Sequence, residues 1–486
     1  MRSRSITISI GSIAAVVLAL FVSEGGYAQQ TITGQAAFAD YSQQKPGIRR
    51  KITVADLPEP NPAESVDNGP NLIQRPKDAW PIAPPGFKVQ LYAGGDAATP
   101  LQRSENRKEI HPATSGTFVM PRIIQTAPNG DLFVADSQAG SIVILRGVSA
   151  EGKAATISTY ATGLDHPFGI AFYPVGANPK WIYVGNATTV VRFPYRSGDL
   201  KPSDNQPQTV VPDLPGYAQL RGGGHWTRDV VFSLDGKRML VSVGSGSNAD
   251  DPDTHPGEFH RADVLEYTPE GKFIKVYAYG LRNCVGEAIN PGTGQLWCST
   301  NERDALGNNL VPDYVTHVEE GGFYGWPWYY MGGHRDPRLP DPCASGTGPN
   351  PQAAALSPQQ AKDCSRVNLS SKVITPDVLV QPHMASLGMT FYPTTKRSFP
   401  AQYGGDAFAS EHGSWNRARR GGYEVIRIPM KDGHATGEYE DFLTGFVTTD
   451  GQVWGRPVGV TVGPDGALYV TDDGSRSVWR VSYTGK

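Results

Sequence analysis

A histidine placed directly behind a run of glycines is the first candidate for chemistry in this sequence. His225 follows Gly222, Gly223 and Gly224. Glycines allow unusual main-chain dihedrals and a close approach to a ligand. An imidazole has an ordinary pKa of about 6.5, which suits proton abstraction near neutrality. The pattern predicts His225 as a general base; the alternative is a loop histidine that bonds a neighbouring carbonyl.

A second group of polar residues follows about sixty positions later. Arg282 and Asn283 come directly after a strand-like run that ends at Tyr279. A guanidinium offers a planar fork of donors for a carboxylate or a developing oxyanion, and the amide adds a neutral donor. The loop from Thr300 to Asp304 is rich in oxygen atoms, which are the ligands that Ca²⁺ prefers. The alternatives are a surface salt bridge and a charged, solvated loop.

Further basic residues lie in the last third of the chain. His383, Arg417 and Arg456 lie in three separate segments that end or begin strand-like runs. A cluster of arginines is often a solvated face, but these residues are far apart in sequence. They could meet only if the fold brings distant loops to one place.

A degenerate repeat predicts such a fold. The segment from Pro128 to Arg146 matches the segment from Pro464 to Ser482, and weaker copies of this turn-and-strand unit begin near positions 180, 234, 292 and 403. Six such units are typical of radial repetition. We therefore predict an all-β fold, a six-bladed β-propeller over residues 84–486, whose loops meet at one end of a central channel.

Composition and the N-terminus narrow the class of protein. The 486 residues are 39% hydrophobic and 19% charged with a net charge of −3, which gives no reason to expect a nucleic-acid partner. Arg2 and Arg4 precede an apolar run that ends near small residues at Ala28. This predicts a signal peptide over residues 1–28 and a periplasmic or secreted protein without stable membrane insertion; the alternative is an uncleaved anchor. Residues 29–83 are predicted to be a Pro-rich extension, loosely structured or draped over the domain.

Four cysteines in an exported chain favour disulfides. Of the three possible connectivities we favour Cys284–Cys298, across a hairpin, together with Cys343–Cys364. The chain has neither a Cys-x-x-Cys nor a Cys-x-x-Cys-His motif, so zinc fingers, thioredoxin chemistry and covalent haem are disfavoured.

The segment from Leu281 to Trp326 carries a family resemblance. It combines the Arg-Asn pair, the loop Asn301-Glu302-Arg303-Asp304 and the corner Gly-Gly-Phe-Tyr-Gly-Trp that ends at Trp326. In this it resembles the signature stretch of the soluble quinoprotein sugar dehydrogenases, the glucose/sorbosone dehydrogenase family. The resemblance is dense between Gly222 and Trp326 and sparse elsewhere.

The resemblance implies two cofactors, pyrroloquinoline quinone (PQQ) and Ca²⁺. His225 matches the family's catalytic base, and Arg282 with Asn283 matches the pair that contacts the quinone oxygens. The main-chain carbonyls of Arg303 and Asp304 match the calcium ligands. Cofactor contacts, in part with the PQQ carboxylates, fall on three further residues: His383, Arg417 and Arg456. One departure concerns substrate: Leu164 lies where the glucose enzymes have a glutamine, and His166 is a possible substitute.

The implied activity is oxidation of an aldose or a related aldehyde sugar such as sorbosone, with hydride transfer to the quinone. Because no haem motif is present, electrons would pass to an external acceptor. One alternative is a metal-dependent lactonase or hydrolase that uses Asp136, Glu302 and Asp304. Another is a propeller that binds proteins or glycans without catalysis.

Overall fold

The computed structural model describes residues 31–97, 102–103, 110–111, 116–216, 224–250, 256–338, 370–395 and 398–485. The predicted signal peptide, Gly222, Gly223, Cys343 and Cys364 lie outside these residues. Within them the regular structure is β-strand with seven short 3₁₀-helices: Gly34–Ala37, Tyr41–Gln43, Val54–Asp56, Pro62–Glu64, Pro256–Glu258, Ser370–Lys372 and Ala401–Tyr403. None of the helices so described is long and apolar enough to cross a membrane.

Six antiparallel sheets, each built on four strands, form the body of the molecule. The first three follow one another along the chain. Blade 1 has strands Pro121–Thr126, Leu132–Asp136, Ser141–Val148 and Ala154–Ala161; blade 2 has Ile170–Tyr173, Trp181–Gly185, Val190–Pro194 and Gln208–Val211; blade 3 has Val230–Phe232, Met239–Val243, Asp263–Tyr267 and Phe273–Tyr279.

The last three sheets are completed by strands from elsewhere in the chain. Blade 4 has Cys284–Ile289, Leu296–Thr300, Pro312–His317 and Val378–Pro382; blade 5 has Ser386–Phe391, Ala407–Glu411, Glu424–Ile428 and Tyr439–Leu443, extended by Arg49–Lys51 and Ile32–Thr33; blade 6 has Pro457–Val462, Leu468–Asp472, Ser477–Tyr483 and the N-terminal strand Phe87–Gly94. The strand Phe87–Gly94 pairs with the last strand of the chain, Phe87 opposite Tyr483, and so closes the ring. The predicted six-bladed propeller is confirmed.

Alternation along the strands explains how the blades hold together. In the second strand of blade 1, Leu132 and Val134 belong to a buried cluster that contains Tyr469 of blade 6. Their neighbours Phe133 and Ala135 point the other way, into a cluster that contains Ile182 of blade 2. Full burial of a Leu, Val or Phe side chain contributes about 1.5–3 kcal/mol to the free energy of folding. Every blade is therefore held by apolar side chains on both of its faces.

Smaller elements complete the described chain. Three short hairpins pair Gln102–Arg103 with Ile110–His111, Tyr329–Tyr330 with His334–Arg335, and Met430–Lys431 with His434–Ala435. Cys284 and Cys298 form a disulfide with an S–S distance of 2.03 Å and a Cα–Cα distance of 5.7 Å, as predicted for this pair.

The extension that precedes the propeller lies against it through specific contacts. Arg50 is buried and forms an ion pair with Asp441 of blade 5. Asn68 donates its amide to the main-chain oxygens of Arg417 and Ala418, at 3.0 Å each. The N–H of Asn61 donates to the Leu306 carbonyl at 2.8 Å. The extension thus contacts the loops that carry Arg417 and Leu306.

Candidate active site

The first strand of each blade positions the site. These six strands contact one another around the channel. Three of the candidate residues stand shortly before their starts: His225 precedes Val230–Phe232 by five positions, Asn283 directly precedes Cys284–Ile289, and Arg456 directly precedes Pro457–Val462. Successive blades repeat the same chain direction, so these positions meet at one end of the channel.

His225 is held as a neutral base with one nitrogen free. Its Nδ1 lies 3.0 Å from the carbonyl oxygen of Ser245 and 3.1 Å from the Ser245 hydroxyl. A carbonyl can only accept, so Nδ1 carries the proton and Nε2 keeps its lone pair. Among the residues that the structure describes, none hydrogen-bonds to Nε2. His225 is half-buried, as a base that meets a substrate must be.

The electrostatic surroundings keep this imidazole uncharged. Burial, and after it the positive charge of Arg282, lowers the pKa of His225 to about 3. The base form therefore predominates at neutral pH, and it is lost as the pH falls toward and through that value.

We expect kcat/KM for the reaction that His225 catalyses to show no decline near pH 6.5 and to stay level to about pH 5. Replacing Ser245 with aspartate places a carboxylate beside Nδ1 and should move the acid limb upward by about one unit or more. Ser245→Asn has a similar size without the charge and serves as the control. A pH–rate profile decides; an identical acid limb in both variants would rule out His225 as the titrating base.

A glycine separates His225 from Asn283. A Cβ placed on Gly244 would lie 2.1 Å from Oδ1 of Asn283 and 2.7 Å from Cβ of His225. Asn283 donates its amide to Oδ1 of Asn301 at 3.0 Å, and Asn301 in turn donates to the main-chain oxygen of Ser386. Oδ1 of Asn283 is buried without a hydrogen-bond partner in the described part of the chain. Asn283 was predicted to donate a hydrogen bond to a ligand. In the structure, its amide nitrogen already donates to Asn301.

The Arg282 guanidinium is held by oxygen acceptors. Its Nη1 donates to the Glu302 carbonyl at 2.6 Å, and its Nε donates to the Asn248 carbonyl at 3.0 Å. Its Nη2 lies 3.1 Å from Oδ1 of Asn248 and 3.4 Å from Oδ2 of Asp304. The Arg282 carbonyl accepts from the Ser245 N–H at 2.8 Å. Arg282 is therefore fixed beside the segment that orients His225.

Asp304 connects Arg282 to His383. Nδ1 of His383 lies 3.1 Å from Oδ1 of Asp304, and Nε2 lies 2.9 Å from the Gly307 carbonyl. Burial raises the pKa of Asp304, but the hydrogen bond with His383 and the charge of Arg282 outweigh it, so the pKa is lowered from its usual value. Asp304 is accordingly a carboxylate at neutral pH, with positive or donor groups on two sides.

The main-chain oxygen of Asp304, a predicted calcium ligand, is already occupied. It accepts from Nε of Arg303 at 3.0 Å, from Nη2 of Arg303 at 2.6 Å and from Nδ2 of Asn248 at 3.0 Å. The same Arg303 side chain is buried and forms an ion pair with Asp336. No group of three or more metal-ligating side chains occurs in the described residues. A cation could reach this oxygen only after the guanidinium moved.

Arg417 and Arg456 form no ion pair with a carboxylate in the described residues, although the charge of Arg456 helps to lower the pKa of Asp473. Arg417 donates to Oε1 of Gln381 at 3.2 Å and to Oδ1 of Asn309 at 3.1 Å, and burial lowers its pKa to about 10, so it stays protonated at neutral pH. Arg456 donates Nε to the His412 carbonyl at 3.1 Å. Neither side chain forms an ion pair within the described ranges. Both are suited to receive an anionic ligand.

Sequence reasoning missed a second charged group at this end of the channel. Nη1 of Arg122 lies 2.6 Å from Asp473, whose carboxylate also meets Nε2 of His412 at 2.9 Å. The Arg122 guanidinium lies 5.8 Å from the ring centre of Trp226, the residue after His225. His166 also lies near Trp226, with 5.5 Å between ring centres. Arg122 is the second residue of the strand Pro121–Thr126, just before the repeat unit that begins at Pro128, and that position was the available signal.

Burial favours the uncharged form of three acids in and around the Asn301–Asp304 loop. Burial raises the pKa of Glu302 to about 8, that of Asp313 to about 7 and that of Glu411 to about 8. The N–H of Glu302 donates to Asp313 at 2.7 Å, and the hydroxyl of Ser386 donates to Glu411 at 2.7 Å. These carboxyls therefore support the loop through hydrogen bonds, and their raised pKa values reduce the negative charge that they place near Arg282.

The residues proposed for a metal-dependent hydrolase do not form one cluster. Both carboxylate oxygens of Asp136 accept main-chain N–H groups, from Met120 at 2.6 Å and from Val119 at 2.9 Å. No hydrogen bond in the described residues connects it to Glu302 or Asp304. Asp136 is a structural cap for the strand that begins blade 1.

Comparison with known proteins gives a consistent family. Residues 112–484 match the family model described as TrAA12-like. The aldose sugar dehydrogenase YliI of Escherichia coli is 33% identical over 156 residues, which are 29% of this chain and 38% of that protein. The pyrroloquinoline quinone-dependent pyranose dehydrogenase of Coprinopsis cinerea is 24% identical over 409 residues, 75% of this chain and 52% of that protein. The matched part of the chain thus spans about half or less of the length of these two relatives.

A solved structure of the AA12 carbohydrate-active enzyme of Trichoderma reesei shares the architecture. It superposes with a TM-score of 0.60 at 19% identity and covers 86% of this chain and 100% of its own. At this identity the likeness concerns the fold.

Proposed function

This chain belongs to the TrAA12-like family of PQQ-dependent sugar oxidoreductases, and we propose that it binds PQQ and oxidises an aldose or a related aldehyde sugar at the channel end that carries His225. The observation that carries the proposal is the combination of a neutral imidazole, whose Nε2 has no hydrogen-bond partner in the described residues, with arginines that the blades bring to the same end of the channel. Arg282 lies beside the base, and Arg417 and Arg456 have no carboxylate partner in the described residues.

The residues present fit PQQ in charge. PQQ is an aromatic quinone with three carboxylates, so its site needs several cations at short range. Arg417 is protonated at neutral pH, and neither Arg417 nor Arg456 forms an ion pair in the described residues. His383 lies near Arg417 through the loop that holds Gly307 and Asn309. We propose that Arg417 and Arg456 hold the carboxylates, and that Arg282 and Asn283 lie at the quinone. Both ring nitrogens of His383 are engaged, by Asp304 and by the Gly307 carbonyl, so we propose that His383 contributes by fixing the loop that carries Asn309.

The protein's own residues then perform the proton chemistry. Nε2 of His225 takes the proton of the sugar hydroxyl, while the Ser245 carbonyl holds Nδ1–H and keeps the ring in that tautomer. When bound, PQQ supplies the electrophilic quinone that accepts the hydride from the sugar carbon. Arg282 stabilises negative charge that develops beside it, because its guanidinium is already oriented by Glu302 and Asn248.

Calcium is a separate proposal. Its protein ligands would be the main-chain oxygens of Arg303 and Asp304, but the three donors on the Asp304 oxygen do not leave it free. The present arrangement therefore does not fit the ion, and the mechanism above needs none. Chelation followed by a PQQ titration tests the point: a lower affinity that Ca²⁺ restores supports a rearranged calcium site, and an unchanged affinity rejects it.

The proposals for the substrate and the cellular compartment depend mainly on sequence patterns. The proposal of a sorbosone-like sugar is supported by the Asn301–Asp304 loop, because the resembling sorbosone-type enzymes have Asn-Glu-Arg-Asp there and the glucose enzymes have Gly-Pro in place of Arg-Asp. Glucose is disfavoured because Leu164 offers an apolar side chain where the glucose enzymes have an amide. The N-terminal pattern supports a periplasmic or secreted protein, and the Cys284–Cys298 disulfide agrees with an oxidising compartment. Electrons would pass to an external acceptor.

A titration of the purified protein with PQQ tests the binding step. We expect saturable binding that weakens about tenfold or more in Arg456→Gln, because a hydrogen bond to a charged group contributes about 1.5–3 kcal/mol. Arg419→Gln is the matched control, since that side chain is 71% exposed and paired with Asp40. Absence of saturable binding, or equal losses in the two variants, would contradict the proposal.

A further inference from the structure

Asn248 has every hydrogen-bonding atom of its side chain and its carbonyl engaged at the site. It follows the strand Met239–Val243 by a few residues and is half-buried. Its carbonyl oxygen accepts from Nε of Arg282 at 3.0 Å and from Nε1 of Trp326 at 2.9 Å. Its Oδ1 accepts from the N–H of Asp304 at 2.9 Å and from Nη2 of Arg282 at 3.1 Å. Its Nδ2 donates to the Asp304 carbonyl at 3.0 Å.

These contacts join three segments that are distant in sequence. The carboxamide pairs with the N–H and the carbonyl of Asp304, as the main chain of a neighbouring strand would. The same Oδ1, together with the main-chain oxygen, accepts two of the hydrogen bonds that orient Arg282. Trp326 donates to the Asn248 carbonyl as well, so the Gly-Gly-Phe-Tyr-Gly-Trp corner contacts the site through this residue in addition to its main-chain bond to Gly280.

We propose that Asn248 is the positioning residue that sets the Arg282 guanidinium and the Asp304 loop in place for cofactor binding and turnover. The proposal rests on the proposed function, because its consequence is read at the PQQ site. Asn248 acts through Arg282 and Asp304 and is not itself a catalytic residue.

The chemistry of the contacts explains why an asparagine is needed. Alanine removes the three side-chain hydrogen bonds and keeps the two on the main-chain carbonyl. Aspartate keeps the acceptor for Arg282 but has no donor for the Asp304 carbonyl, and it adds a second carboxylate beside Asp304. We therefore expect both variants to disturb the site, by different routes.

The test compares Asn248→Ala with Asn290→Ala. Asn290 accepts two turn hydrogen bonds, from Gly292 at 2.8 Å and from Thr293 at 3.2 Å, at the far end of the first strand of blade 4. We expect Asn248→Ala to weaken PQQ binding about tenfold or more and to lower kcat/KM of the PQQ-loaded protein by about 10²-fold, since a misplacement of about 1 Å can cost that much. Asn290→Ala should stay close to wild type in both, whatever its effect on thermal unfolding.

A double-mutant cycle separates positioning from a general loss of structure. In an Arg282→Ala background, Asn248→Ala should reduce PQQ affinity by less than about threefold, because the group it positions is absent. If the losses of PQQ affinity in the two single variants add fully in the double variant, or if Asn248→Ala behaves like Asn290→Ala, the proposed role of Asn248 is overturned. The proposed function would still hold in that case, provided that the wild-type protein binds PQQ and oxidises a sugar. A wild-type protein that neither binds PQQ nor oxidises a sugar would overturn the proposed function and this proposal with it.

Discussion

Replacing His225 with alanine is expected to lower kcat for sugar oxidation by about 10²–10⁴-fold, the usual contribution of a positioned general base. The reason is geometric: Nδ1 is committed to Ser245, and Nε2 is the atom left to take a proton. PQQ affinity should change much less, because the proposed cofactor contacts lie on Arg282, Arg417 and Arg456. Stopped-flow reduction of the PQQ-loaded protein by sugar measures the step directly.

His434→Ala is the control for that experiment. His434 is exposed, in the short hairpin of residues 430–435 outside the four main strands of blade 5. It should leave the rate of reduction unchanged. If His225→Ala reduces PQQ as fast as wild type, His225 is not the base; if it loses PQQ binding in proportion to turnover, its role is in binding.

Replacing Gly244 with alanine is expected to produce the second large loss, about 10²-fold in kcat/KM. The new Cβ would lie 2.1 Å from Oδ1 of Asn283 and 2.7 Å from Cβ of His225, distances at which at least one of these groups must move. Since both belong to the proposed site, the substitution should displace the base relative to the Arg282–Asn283 pair. Steady-state kinetics on PQQ-loaded protein, with a PQQ titration beside it, is the measurement.

Gly333→Ala provides the matched change. Among the described residues, the atom nearest to a Cβ at Gly333 would be the main-chain oxygen of Ser370, at 3.7 Å. Neither glycine has the left-handed backbone that would itself penalise alanine. The Gly333 variant should therefore retain wild-type kinetics. Full activity in Gly244→Ala would show that His225 and Asn283 need not keep their present separation for catalysis.

The fold could be predicted from sequence because its signals are local. Each repeat unit is a turn followed by an alternating apolar strand, and the copies at Pro128 and Pro464 are clear enough to define the rest. The Cys284–Cys298 pair was predictable for the same reason, since a hairpin joins the two cysteines. The ring closure by Phe87–Gly94 was not, because the pairing with Ser477–Tyr483 joins opposite ends of the domain.

Sequence reasoning could propose site residues where the residue type itself suggests a chemical role. His225, Arg282 and His383 were identified from their types and from the family resemblance, and the structure connects them through Ser245 and Asp304. Their roles toward PQQ stay predictions.

What the sequence could not reveal are residues whose importance comes from long-range hydrogen bonds. Asn248 and Asp304 are 56 positions apart, and no periodicity or composition marks them as partners. The Arg122–Asp473 ion pair spans 351 positions. The extension over residues 29–83 gave only a polar, Pro-rich composition, whereas its contacts with Leu306 and Arg417 are individual hydrogen bonds, one from the Asn61 main chain and one from the Asn68 side chain.

The most direct test of the account is the absorption of the quinone band in PQQ-reconstituted protein when sugars are added. We predict that an aldose or a sorbosone-like sugar bleaches the band in a single turnover, and that an external acceptor restores it. A saturated PQQ complex whose band no sugar changes would contradict the proposed oxidation, even though the cofactor site would stand.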